Sequence, residues 1–238
     1  MTTCYKSKAI IFRKNDINES DRIFSVFTEE FWRLEIFAKA IRKIHSKLRP
    51  GIDVPLLSEI EFVQGKNKKT LIDATRIENF INITKDPEKF KIAQKILNAA
   101  NHLIKGEEKD VKIFNLFQDV LSNLNNPSIK SADSEILYYY FLWNKLALLG
   151  YHPEINKCNI CGEKLNPYRI YFSNKSGGVI CKKCLNHDML PVKINSDVIK
   201  ILRIILQKEL KTILNLKIGI QSKKLLKSIT DNYYIYSF

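Results

Sequence analysis

EIEFVQGKNKKTLIDATRI, residues 59 to 77, decides how the first third of this chain is read. Ile60 and Phe62 alternate with Glu59 and Glu61, the period-two pattern of a strand with one wet face. Gln64 to Lys69 is polar and contains glycine, so it predicts a hairpin tip, and Thr70 to Ile77 predicts the returning strand. The residues before it lack helical periodicity. Ile10 and Phe12 alternate in one segment; Ile23, Phe24, Val26 and Phe27 populate a second; Leu34, Ile36 and Ala38 alternate in a third. Five short strands within residues 1–80 predict a small closed barrel, and the five-stranded OB type is the commonest of that size.

The texture changes near residue 84. Asp86-Pro87 predicts a helix start, an N-cap followed by proline at the first helical position. Phe90, Ala93, Leu97, Ala100 and Ile104 follow at helical spacing. A second helix is expected from about residue 110, with Ile113, Phe114, Phe117, Val120, Leu121 and Leu124 on its apolar face. EILYYYFLWNKLALLG, 135–150, is apolar on most sides and so is expected to be central, ending at Gly150. DVIKILRIILQKEL (197–210) and QSKKLLKSITDNYYIY (221–236) predict the last two helices. The expected class is α+β: an OB-type nucleic-acid-binding domain over residues 1–80, then a mainly helical domain over 81–238 with a zinc ribbon inserted at about 155–188.

Cys158 and Cys161 are separated by two residues, as are Cys181 and Cys184, and residues 162–180 lie between the pairs. This is the spacing of a four-cysteine zinc site, in which two tight turns each bring two thiolates to one tetrahedral ion. Arg169–Phe172 and Val179–Ile180 predict the two strands of a ribbon, with Lys175–Gly178 at its tip. A redox dithiol would not need two pairs, and a reducing compartment argues against disulfides. Four protein thiolates fill the coordination sphere, so one structural zinc per chain is expected rather than a catalytic one. The rival reading is a zinc-dependent nucleobase deaminase, in which His152, Glu154, Cys181 and Cys184 would match an H-x-E…C-x-x-C signature. It is weakened by Ile180 standing where that signature has proline, and it leaves Cys158 and Cys161 without a task. A second alternative is a zinc-ribbon interaction module of the translation or transcription machinery. Cys4, the fifth cysteine, is expected to serve packing.

Of 238 residues, 39 are Lys or Arg and 25 are Asp or Glu, a formal net charge of +14, which favours a polyanionic partner. A zinc tetrathiolate carries −2, which leaves about +12. The charge clusters. KAIRKIHSKLR, 39–49, supplies Lys39, Arg42, Lys43, Lys47 and Arg49, with His45 among them and no acid. Such a loop suits a phosphate backbone, and Phe31, Trp32 and Phe37 lie nearby as faces for stacking or as core. A second basic set runs from Lys193 through Lys200, Arg203, Lys208, Lys211, Lys217, Lys223 and Lys224 to Lys227. No G-x-x-x-x-G-K-[ST] motif occurs, so nothing points to nucleotide hydrolysis. The N-terminal apolar run, Ala9 to Phe12, is too short for a signal peptide, and ILYYYFLW (136–143) is too short for a membrane span. A soluble, intracellular, non-enzymatic protein with no catalytic residues is expected.

Four stretches together resemble the bacterial RecO family of recombinational repair proteins: NESDRIFSVFTEE (18–30), FAKAIRKIHSKLRP (37–50), LALLGYHPEINKCNICG (146–162) and SGGVICKKC (176–184). Ala40 stands where that family usually has glycine, and Trp32 lies near a turn that often carries glycine, so the local backbone there is in question. The resemblance implies an OB barrel, a helical C-terminal domain and a structural zinc held by Cys158, Cys161, Cys181 and Cys184. It implies a recombination mediator of the RecFOR pathway that binds single- and double-stranded DNA. Such a mediator anneals complementary strands and helps load recombinase on strands coated with single-strand binding protein. RecR and the acidic C-terminal tail of single-strand binding protein are the implied partners, RecF is a further candidate, and the implied location is the cytoplasm, at the nucleoid. Lys39, Arg42, Lys47 and Arg49 match the family's basic loop; Lys43 and His45 join them by position.

Overall fold

The computed structural model describes residues 3–103, 111–187, 191–207 and 209–237, which fall into two compact units, one ending at Ser128 and one beginning at Ile129. In the first, five strands form β1 (Cys4–Asp16), β2 (Arg22–Thr28), β3 (Trp32–Ala38), β4 (Leu56–Gln64) and β5 (Lys69–Asn79). Their pairing returns to its start, in the order β1-β2-β3-β5-β4 with β4 on β1, so the expected five-stranded OB-type barrel is present. Every pairing is antiparallel except the short parallel seam between β3 and β5. Ala9, Ile11, Phe24, Val26, Leu34, Ile36, Ile60, Phe62 and Leu71 fill the interior. The hairpin tip is one residue tighter at each end than expected: Gln64 pairs with Lys69, and Gly65 N–H donates to Lys68 O at 2.9 Å.

The returning strand does not alternate cleanly. The register shifts between Leu57 and Ser58 and between Glu61 and Phe62, which leaves Ile77 and Ile72 as the extra residues of two bulges. A bulged residue has no cross-strand partner, and both isoleucines are about half exposed, Ile72 at 45% and Ile77 at 49%. β1 over residues 9–12 and β2 over residues 24–28 are buried on both faces. Phe12 stacks on Phe27 at 4.4 Å, and Phe27 meets Phe117 edge-on at 5.5 Å, away from the barrel interior. That explains why these strands read as near-continuous apolar runs.

Among the described residues two hold the left-handed backbone region without being glycine, Trp32 at φ +65° and Ala40 at φ +53°. These are the two places where the resemblance put the local backbone in question. Thr28 organises the first turn: its Oγ1 accepts from Phe31 N–H at 2.9 Å and donates to Trp32 O at 2.8 Å.

Among the described residues three α-helices follow in this unit: α1 (Ile81–Lys85), α2 (Pro87–Leu103) and α3 (Val111–Asn125). Asp86 caps α2 as expected, its Oδ1 accepting from Glu88 and Lys89 N–H at 3.0 and 3.1 Å. Ile92, Ala93, Ile96, Leu97 and Ala100 form its buried face; Ile104 lies outside the described residues. All six expected apolar residues of α3 are buried. The one-turn α1 carries too little periodicity to be foreseen.

In the second unit α4 (Glu135–Leu148) is central. Trp143 is fully buried, stacks on Tyr233 at 5.1 Å, meets Phe172 edge-on at 5.8 Å, and donates Nε1–H to Thr230 Oγ1 at 2.9 Å. Gly150 at φ +91° follows the helix end. A three-stranded sheet of β6 (Ile170–Ser173), β7 (Gly178–Cys181) and β8 (Val192–Ile194) is ordered β7-β6-β8. The helix expected over 197–210 divides into α5 (Ser196–Leu206) and α6 (Leu210–Leu214), with Lys208 outside the described residues. Asn195 caps α5 by accepting from Val198 N–H. The chain continues with α7 (Ile220–Ser237). Among the described residues no helix is long and apolar enough to cross a membrane.

Candidate metal centre and nucleic-acid interface

Cys158 begins a tight turn in which its carbonyl accepts from Gly162 N–H at 2.9 Å, with Gly162 at φ +74°. Lys157 and Lys164 pair across the base of this turn. β6 and β7 then bring the second pair back, with Cys181 ending β7 and Cys184 on the turn of 3-10 helix that follows. Gly178 lets the ribbon close against Glu154: a Cβ there would lie 2.4 Å from the Glu154 carbonyl oxygen.

The sulfurs of Cys158, Cys161, Cys181 and Cys184 all lie within 4.8 Å of one another. Tetrahedral zinc with Zn–S bonds of about 2.3 Å demands an S···S edge of about 3.8 Å. The observed separations are 3.8 Å for Cys161 to Cys181 and 3.7 Å for Cys181 to Cys184. Burial pushes the Cys158 thiol up, but backbone N–H groups of Cys161, Cys181 and Ile160 outweigh it and bring the pKa down to about 6. Donor type, number and spacing therefore fit a structural zinc site. The deaminase alternative loses its ground here, because Cys158 and Cys161 belong to the same cluster as the second pair. His152 is exposed, and the Glu154 carboxylate accepts from Asn156 N–H at 2.8 Å. Cys4, expected to pack, is exposed on β1.

The basic loop leaves the barrel between β3 and β4, as expected. Its base is pinned to the β1–β2 turn. Asp21 Oδ1 accepts from Ala40 N–H at 2.7 Å, and this bond, with one from Asn18, lowers the Asp21 pKa. Arg42 is held three ways: its N–H donates to Ser20 O at 3.0 Å, its Nη1 to Asn18 O at 2.7 Å, and its Nε lies 3.6 Å from Asp16. Lys39, Lys43, His45, Lys47 and Arg49 are exposed and carry no ion pair among the described residues. Successive turns from Lys43 to Gly51 give the loop a defined backbone. The sequence reading missed Asn18 and Asp21 as the anchors. The NESDR stretch was the available signal, but nothing periodic links it to a loop about twenty residues on.

The family model described as recombination protein O N terminal matches residues 1–80, and that described as recombination protein O C terminal matches residues 84–237. A curated DNA repair protein RecO from Dehalococcoides mccartyi strain BAV1 is 35% identical over 216 residues, 90% of this chain and 83% of the relative. One from Caldanaerobacter subterraneus is 27% identical over 75% of this chain and 70% of its own. One from Listeria innocua is 26% identical over 96% of this chain and 88% of its own.

Proposed function

Because the chain belongs to the recombination protein O family, a family of DNA repair and recombination proteins, we propose that it acts as a non-enzymatic mediator on DNA. It binds single and double strands, anneals complementary strands and helps load recombinase on strands coated with single-strand binding protein. RecR, the acidic tail of single-strand binding protein and RecF are the proposed partners, and the cytoplasmic nucleoid is the proposed location. The observation that carries this reading is the loop of residues 39–49: five exposed basic side chains with no ion pair among the described residues, on a base fixed to the barrel. Lysine and arginine there neutralise phosphates and release counterions, so two strands that repel one another can meet. Lys39, Lys43, His45, Lys47 and Arg49 are the proposed contacts, with Arg42 shared between contact and anchor.

One zinc per chain is the proposed cofactor, held by Cys158, Cys161, Cys181 and Cys184. With four thiolates its coordination is complete, so its contribution is to fix the ribbon. The proposed division of the chain is a DNA-binding barrel over residues 1–80 and a helical domain over 81–238 that carries the ribbon. For the acidic tail, a groove of about 210 Å³ is lined by Ile201, Ile204 and Ile218 together with Lys217 and with Lys200, which is paired to Asp197 at 3.4 Å, so it offers apolar chemistry and one unshared cation, Lys217.

The test is annealing of complementary oligonucleotides coated with single-strand binding protein. The full chain should accelerate pairing without consuming nucleotide, and the effect should fade as salt rises. No acceleration at low salt would refute the reading.

A further inference from the structure

A groove of about 700 Å³ opens on the barrel wall between β3 and the β4–β5 hairpin. Phe31, Leu34 and Phe37 line one side, and Asn67, Lys68 and Lys69 the other. Its cause lies in the strand pairing. β3 pairs with β2 through seven residues, from Trp32 to Ala38, but with β5 only at Ile36↔Lys69 and Phe37↔Thr70. Before Ile36 the barrel seam has no strand pairing among the described residues, and the groove occupies that gap.

The two aromatic rings in it differ. Phe31 is braced by Tyr5 at 5.4 Å and Phe62 at 5.5 Å and packs on the barrel core. Phe37 projects outward from β3, half buried, with the Lys68 ammonium 3.6 Å from its ring centroid. A ring face turned toward a groove and met there by a lysine head is open to exchange. An incoming phosphate attracts that ammonium more strongly than a phenyl quadrupole does, and the uncovered face can then take a π-stacked base. Glu30 and Glu35 also border the groove, Glu35 paired with Arg33 at 3.5 Å, so the side facing Lys68 and Lys69 carries no net positive charge and a strand's backbone is favoured on the Lys68–Lys69 rim. Phe37 also lies two residues before Lys39, the first cation of the basic loop, so a strand leaving the groove continues onto that loop. A duplex keeps its bases stacked on one another and cannot present one to a ring recessed in a groove.

We propose that this groove seats an unpaired base of a single nucleic-acid strand against Phe37, with the adjoining phosphates on Lys68 and Lys69. The proposal rests on the DNA-binding reading above and adds a base-dependent contact to one that is otherwise purely ionic.

The experiment compares the full chain's affinity for a fluorescein-labelled oligothymidylate of about 15 nucleotides with that for an abasic phosphodiester chain of equal length. The two ligands carry the same charge and differ only in the bases. Stacking predicts about tenfold or more tighter binding of the base-bearing chain. Phe37→Ala should abolish that preference while leaving the abasic affinity unchanged, Phe37→Tyr should keep it, and Lys68→Ala should weaken both ligands alike. Equal affinity of the unaltered protein for the two chains would overturn the inference and leave DNA binding standing. So would a preference that survives Phe37→Ala. Binding of neither chain would overturn the function on which it rests.

Discussion

Ala40 holds φ at +53° with a methyl group in place, because its N–H must reach Asp21 and its carbonyl must accept from Lys43 N–H. The left-handed region costs an L-residue roughly 1–2 kcal/mol, and glycine's extra chain freedom offsets roughly 0.5–1 of that. Ala40→Gly is therefore expected to stabilise by about 0.5–1 kcal/mol, read as a rise of about 2 °C in a thermal melt. A fall would mean that the loop base gains more from chain stiffness than it loses to strain. The neighbouring cations separate by the same kind of reasoning. Arg42 donates to a backbone carbonyl and sits beside Asp16, so Arg42→Ala should cost about 1 kcal/mol of stability as well as affinity. Lys43 and Lys47 make no such contacts among the described residues. Replacing both by Ala should leave the melting temperature in place and lower the log–log salt slope of single-strand binding by about 1.4, about 0.7 for each lost phosphate contact. An unchanged slope would remove these two lysines from the interface.

At the scale of elements, β6 is anchored by β8 and by Phe172 against Trp143, but the two cysteine turns have little else to hold them. Two of the three buried residues in the small cluster around Ile180 are cysteines. Metal binding and ordering of these turns should therefore be one event. Elemental analysis should find one zinc per chain, and Cys181→Ser or exhaustive chelation should lower the melting temperature. Oligonucleotide binding by the barrel loop should persist, because the groups that hold the loop, Asn18, Ser20, Asp21 and Asp16, belong to the first unit. Loss of binding with no change in melting would instead place the metal in the DNA interface. The cysteine site was legible in the sequence because its information is local: two spacings and a glycine. The barrel was legible through alternation, which Leu34, Ile36 and Ala38 show without interruption. Alternation failed at Ile72 and Ile77, where a bulge shifts the count by one, and at β8, whose three residues are too few to show a period. The anchoring of Ala40 by Asp21 is a contact across strands, and one-dimensional spacing carries no trace of it.

For the whole molecule the formal charge of +14 sets a long-range attraction for any polyanion, while the local contacts decide what remains when salt screens it. Four or five phosphate contacts predict a single-strand salt slope of roughly −3, at about −0.7 per contact, and a duplex slope of roughly −4, at about −0.9 per contact. The two forms should then diverge in a telling way. Electrostatic binding of either disappears as salt approaches the molar range. A base seated against Phe37 adds a stacking contribution that ions screen little, and it is open only to the single strand. Affinity for duplex should thus fall below detection first, while a residual single-strand affinity persists and is abolished by Phe37→Ala. Titrating both forms from about 50 mM to 1 M salt measures this directly. Two lines that vanish together at high salt would mean that the barrel grips DNA by charge alone.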